Sequence, residues 1–142
     1  MPRAFSISTE SIAAEQKRAG GDPERFDISR VVKLDTLELR PVGPGDVHIR
    51  ILAVSGEHNI NHAALADTVN IADIRGGKIF PGNSAVGEVI GIGAAVEKFK
   101  VGDIVVTHCN GEPDIYGLPL RIWAYDQPDS IGWYGEEAVV GE

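Results

Sequence analysis

Two stretches of this 142-residue sequence concentrate side chains able to do chemistry. The first is Glu57-His58-Asn59-Ile60-Asn61-His62, which follows a run of apolar residues. His58 and His62 stand four apart, a spacing that puts two imidazoles on one face if the segment is helical. With Cys109 they would make three nitrogen and sulfur donors of the kind zinc takes. A structural zinc site wants four closely spaced ligands, typically cysteines, and Cys109 is the one cysteine, so the expectation is no metal. The second stretch runs from His108-Cys109 to Arg121-Ile122-Trp123-Ala124-Tyr125-Asp126. Cys109 has no sequence neighbour that would lower its thiol pKa, so it is not nominated as a nucleophile. Glu136 and Glu137 read as solvated, and no Ser-His-Asp arrangement presents itself.

Gly91-Ile92-Gly93-Ala94-Ala95-Val96 imitates a dinucleotide-binding fingerprint. That fingerprint works because a helix follows the glycines and aims its N-terminus at a pyrophosphate, with an acidic residue about 20 positions on. Here Gly102 falls too soon for a useful helix and the third glycine is absent. The motif is therefore expected to be a tight turn between strands.

The elements that must position these residues are short. Residues 9–19 read as a helix with Thr9 or Ser11 as its cap and Gly20-Gly21 as its end, thin on its apolar face and hence peripheral. Asp22 to Arg25 reads as a turn or a short helix start. Strand-like alternation is expected over 37–42 and, most cleanly, over Asp46 to Val54. Further strands are expected from Ser84 to Ile90, around Ile104 to Thr107, and from Glu136 to Val140, with a helical piece near 63–67 and an irregular lobe over 109–135. Seventeen glycines and many short strands favour a mainly β, barrel-like fold. A net charge of −8 argues against a nucleic-acid partner, and neither a membrane span nor a secretory leader is expected. With a lone cysteine, these features give the expectation of a cytoplasmic protein.

From Pro44 to His108 the chain reads PGDVHIRILAVSG, a loop, then FPGNSAVGEVIGIGAAVEKFKVGDIVVTH. This resembles the GroES-like, substrate-side domain of medium-chain dehydrogenases/reductases over about residues 37–108. THCN followed by RIWAYDQPD further resembles the crotonyl-CoA carboxylase/reductase branch, whose members carry HCN and then R-I-W-G-(Tyr/Phe)-Glu. Residues 1–30 match nothing in that pattern.

The resemblance implies a partly open GroES-like β-barrel with a few short helices over 28–142, and residues 1–27 read on their own as a helical extension ahead of it. It implies one wall of a cleft, with NADPH supplied by a Rossmann domain that is not encoded here. The branch reduces α,β-unsaturated acyl thioesters by hydride transfer, and some members trap carbon dioxide at the enolate. Asn59 and Asn61, with His58 and His62 beside them, fall where zinc-free members meet the substrate and the nicotinamide edge. Glu57 departs from the apolar residue usual there. Tyr125 and Asp126 match the aromatic-acid pair that helps organise a carbon dioxide pocket, with Asp for Glu shortening the arm by roughly 1.5 Å. Arg121 and Trp123 could contact the phosphate and adenine of CoA, or else pack the lobe. Zinc alcohol dehydrogenases of the superfamily place a Cys near Gly56-Glu57-His58 and Gly-His-Glu where this chain reads Gly82-Asn83-Ser84.

The implied function is the substrate side of a zinc-independent, NADPH-dependent enoyl-thioester reductase, inactive without a nucleotide-binding half. A last strand near 136–140 would leave an open sheet edge, and with it a second subunit or self-association. Two alternatives stand beside it: a non-catalytic GroES-like binding module, and a cofactor-independent enzyme reusing the cleft.

Overall fold

The computed structural model describes residues 1–57, 59–66, 70–107, 114–118 and 132–142, with Asn59 and Ile60 as backbone. Strands dominate, in two antiparallel sheets accompanied by short helices. The first sheet has the order β2-β1-β4, from Val32–Thr36, Arg3–Ser8 and Lys78–Ile79. The second has the order β6-β5-β3-β7, from Ile104–Val106, Ala85–Ile92, Asp46–Val54 and Glu137–Gly141. A bridge between Ala4 and Gly135 links the two.

Around the first sheet lie α1 (Thr9–Ala19), a 3-10 turn (Pro23–Arg25), α2 (Ile28–Val31), α3 (Asn59–Leu65) and α4 (Ile71–Ile74). Helix α1 has the expected span, but its cap is Ser8, which exchanges hydrogen bonds with Ser11 in a capping box. Nor is it peripheral. Ile12 is buried and packs with Ile7, Val31, Ala63, Ala64 and Ala72 in one core. A single well-placed isoleucine suffices, because Ala63 and Ala64 let α3 come close. Glu15 is also buried, its carboxylate taken by Arg18 and by the backbone N–H of Asp27 at 2.8 Å.

The N-terminal segment is thus more than a helical extension: residues 3–8 form the central strand of the first sheet. Ala4, Ser6 and Ile7 are buried there, an alternation too brief and too polar to stand out in the sequence. The alternation at 37–42 does not become a strand. Pro41 and Pro44 withhold ladder donors, and the pairing shifts upstream to 32–36, opposite β1.

The second core joins Val47, Ile49, Ala85, Val89, Ala138 and Trp133. Strand β3 is half-buried, as its alternation requires, and pairs with β5 on one side and β7 on the other. His48 and Glu137 face each other across that ladder at 2.8 Å, so Glu137 is partnered rather than simply solvated; Glu136 likewise bonds Arg3. The Gly91–Val96 stretch ends β5 and turns. Gly93 packs against Gly43 and Pro44 so closely that a Cβ would lie 2.0 Å from the Gly43 carbonyl oxygen. The glycine serves backbone contact rather than a pyrophosphate cradle.

Candidate functional site

One end of the second sheet gathers four chain segments. Strand β3 runs out into Ser55-Gly56-Glu57, β5 is entered through Gly82-Asn83-Ser84, β6 leaves through Thr107, and Trp133-Tyr134 approach β7. They are tied together by specific bonds. The Ser55 N–H donates to the Ser84 carbonyl at 3.0 Å. Thr107 Oγ1 accepts from the Ala85 N–H at 2.8 Å and donates to the Ala85 carbonyl at 3.3 Å. The Tyr134 hydroxyl donates to the Ser55 carbonyl at 2.8 Å.

At the centre is Glu57. Its Oε2 accepts from Asn83 Nδ2 at 2.7 Å and its Oε1 from Ser84 Oγ at 3.2 Å. Asn83 is 6% exposed, so this carboxylate sets which way the buried amide points: the NH2 must face Glu57. Asn83 Oδ1 makes no hydrogen bond among the described residues. The Tyr134 phenol sits above its usual pKa, chiefly through burial; the Glu57 carboxylate pushes it further up, against the Glu57 backbone amide, which lowers it. The phenol therefore stays neutral and a donor at neutral pH.

Gly82 makes the cluster sterically feasible. Its φ is +123°, and a Cβ would lie 2.6 Å from the backbone nitrogens of both Trp133 and Tyr134. Those nitrogens donate to the carbonyls of Gly82 at 3.2 Å and Pro81 at 3.0 Å. Trp133, 2% exposed, anchors this crossing in the core.

Two residues beyond Glu57, α3 begins. Its Ala63 and Ala64 are buried in the first core, which fixes the helix relative to the cluster. Of the residues expected at the substrate edge, Asn59 opens this helix, Asn61 is half-buried on it and His62 is exposed. His58, Cys109, Arg121, Trp123, Tyr125 and Asp126 lie outside the described residues.

Asn83-Ser84, where a zinc alcohol dehydrogenase is expected to carry its His-Glu pair, are both bonded to Glu57 here. The Asn83 carboxamide supplies neither imidazole nor thiolate, and the Glu57 carboxylate is already engaged twice. What this arrangement can do is hold two loops together and present polar oxygen atoms at the mouth of a sheet end. Tyr134 was not singled out by sequence: its role depends on Gly82 admitting the backbone of Trp133 and Tyr134.

Fold and site define a GroES-like domain of the dehydrogenase type. The family model for the alcohol dehydrogenase GroES-like domain matches residues 43–142, and the chain belongs to the medium-chain dehydrogenase/reductase superfamily through that domain. It is similar to cinnamyl alcohol dehydrogenase 5 of Arabidopsis thaliana, with 37% identity over 123 residues covering 80% of this chain and 33% of that protein. A probable cinnamyl alcohol dehydrogenase 1 of Eucalyptus gunnii is 31% identical over 82% of this chain and 36% of its own length. Among solved structures, a crotonyl-CoA carboxylase/reductase superposes with a TM-score of 0.74 and 25% identity, covering 99% of this chain and 32% of that one. The Helicobacter pylori CAD complexed with NADP(H) superposes with a TM-score of 0.71 at 22% identity, covering 99% of this chain and 39% of that one. The chain thus spans about a third of the length of the curated relatives it matches.

Proposed function

We propose that this chain forms the substrate-side wall of an NADPH-dependent reductase cleft that takes an α,β-unsaturated acyl thioester and works without zinc. The observation that carries the reading is the Glu57–Asn83–Ser84 cluster, in which Asn83-Ser84 stand where a zinc enzyme's His-Glu pair is expected and are bonded by Glu57 instead. NADPH, when bound to a separate nucleotide-binding domain, supplies the hydride. The work of this chain is orientation. Glu57 locks the loop entering α3 against the loop entering β5, so that Asn61 and the start of α3 stand at a fixed place beside the acyl group. Tyr134, held neutral, keeps the Ser55 loop down. His58, Tyr125 and Asp126, with Arg121 and Trp123 toward the CoA end, are proposed to complete the wall. The likeness to a crotonyl-CoA carboxylase/reductase over 99% of the chain supports the thioester assignment.

A second reading, an aryl or allyl alcohol dehydrogenase, is favoured by the 37% identity to a cinnamyl alcohol dehydrogenase. The two part at the metal. Metal analysis together with equilibrium binding of crotonyl-CoA and of cinnamyl alcohol separates them. The thioester reading expects crotonyl-CoA binding with no stoichiometric zinc. Stoichiometric zinc with binding of the alcohol alone overturns it.

A further inference from the structure

Glu136 reads in sequence as a solvated carboxylate, yet the fold uses each of its polar groups. Its N–H donates to the Arg3 carbonyl at 2.8 Å, and its own carbonyl accepts from the Ile51 N–H at 2.8 Å. One residue thus bonds β1 of the first sheet on one side and β3 of the second on the other. Its carboxylate turns back onto β1. Oε2 accepts from the Arg3 backbone N–H at 2.9 Å, and Oε1 accepts from Arg3 Nε at 2.9 Å and Nη2 at 2.6 Å. Charge-assisted bonds made to a planar guanidinium fix direction as well as distance.

The grip continues upstream. Ala4 and Gly135 form a bridge, and a Cβ on Gly135 would lie 3.0 Å from the Ala4 Cβ. The Phe5 N–H donates to the Tyr134 carbonyl at 2.8 Å. Residues 134–136 therefore lie along β1 from Arg3 to Phe5. The same segment carries the Tyr134 side chain, whose hydroxyl donates to the Ser55 carbonyl at 2.8 Å. Ser55 stands two residues before Glu57. A continuous path of hydrogen bonds runs from Arg3, through Glu136 and Tyr134, to the loop that leads into α3.

We propose that Glu136 is a positioning residue of the cleft: by clasping Arg3 it keeps Tyr134 in register with β1, and so lets the N-terminal strand set where the Ser55–Glu57 loop stands against the acyl group. This role rests on the thioester reading of the site. Arg3 lies outside the span 43–142 that the family model matches, so the clasp brings a contribution to the cleft from beyond the matched domain. The Arg3 and Glu136 side chains are 60% and 48% exposed, so water screens the pair and its loss costs little global stability. What the clasp supplies is place. Sites joined through one path couple reciprocally, so a thioester that settles against the Ser55–Glu57 loop must in turn tighten the clasp.

NMR of the 142-residue chain during a crotonyl-CoA titration, on the wild type, Glu136→Ala and Glu136→Gln, tests this. Glu136→Ala is expected to shift the Ser55 carbonyl carbon, which reports the Tyr134 hydroxyl bond, and to weaken crotonyl-CoA binding by about fivefold. Its urea midpoint should stay close to that of the wild type. Glu136→Gln keeps an acceptor for Arg3 and is expected to recover most of both effects. In the wild type, bound crotonyl-CoA should slow amide exchange at Phe5 and Glu136 by about the same factor. Should Glu136→Ala fail to fold, Arg3→Ala, which leaves the carboxylate and the backbone bonds in place, decides by the same readouts. A Ser55 signal and an affinity that stay at their wild-type values overturn the proposal. So does an affinity loss matched by a fall in the urea midpoint, which marks a contact that serves the fold alone. If the wild type binds no crotonyl-CoA, the thioester reading fails, and the clasp then stands or falls on the Ser55 signal.

Discussion

Glu57 and Asn83 are coupled, and a double-mutant cycle measures by how much. The bond between them is 2.7 Å long, joins a carboxylate to an amide NH2, and is sheltered because Asn83 is 6% exposed. Charge-assisted hydrogen bonds of this kind contribute ~1.5–3 kcal/mol, and a buried polar group left unpaired costs ~1–3 kcal/mol. Glu57 itself is only half-buried, so water recovers part of its loss and the lower end applies. Glu57→Ala is expected to cost ~2 kcal/mol, chiefly by stranding the Asn83 amide. Asn83→Ala should cost a similar amount, and the double variant much less than the sum, for a coupling of ~1.5 kcal/mol. Glu57→Gln keeps an acceptor for Asn83 and should lose ~1 kcal/mol or less. Urea unfolding of the four proteins, with unchanged slopes, gives the numbers. A coupling below ~0.5 kcal/mol would mean that the two residues are merely neighbours, and the cluster would lose its role as the lock of the site.

Gly82→Ala must place a side chain at φ +123° and 2.6 Å from two backbone nitrogens, so the Trp133-Tyr134 crossing has to move. Strain of ~1–3 kcal/mol plus the weakening of two backbone bonds should make it among the most damaging single changes, visible as a fall in the urea midpoint. Glu15 offers a pH signature. Arg18 holds its carboxyl down to about 2, from an ordinary 4.5. Because the folded value is the lower one, its stabilisation is complete above pH 4.5 and is lost as pH falls toward 2. Glu15→Gln should flatten the acid limb of a stability profile within that window, and an unchanged limb would count against the pairing. Tyr134 should form its phenolate above the ordinary 10.0 in an ultraviolet pH titration, and Tyr134→Phe should remove that step.

Much of the second sheet was legible because its strands alternate. Asp46 to Val54 reads as a half-buried strand and is one, and the Gly91–Val96 turn follows from Gly102 arriving too early for a helix. The first sheet was not legible. Arg3–Ser8 mixes Ser6, buried and bonded to Asp35 at 2.6 Å, into its core face, and local alternation carries no trace of a partner 29 residues away. The run at 37–42 misled for the opposite reason: its alternation is clean, but Pro41 within it cannot donate to a ladder. At the site, the sequence showed Asn83-Ser84 where a zinc enzyme's His-Glu pair is expected and Glu57 where an apolar residue is usual. That the replacements bond each other is a fact of three dimensions, as is the arrival of Tyr134 through the gap that Gly82 leaves.

The proposed function places a thioester against the sheet end built by Glu57, α3 and Asn83. Amide chemical-shift mapping during a crotonyl-CoA titration tests that directly. The expected result is saturable shifts clustered at Glu57, Asn61, Asn83, Ser84 and Tyr134, weakened in Glu57→Ala. No saturable shifts, or shifts confined to the sheet of β1, β2 and β4, would contradict it.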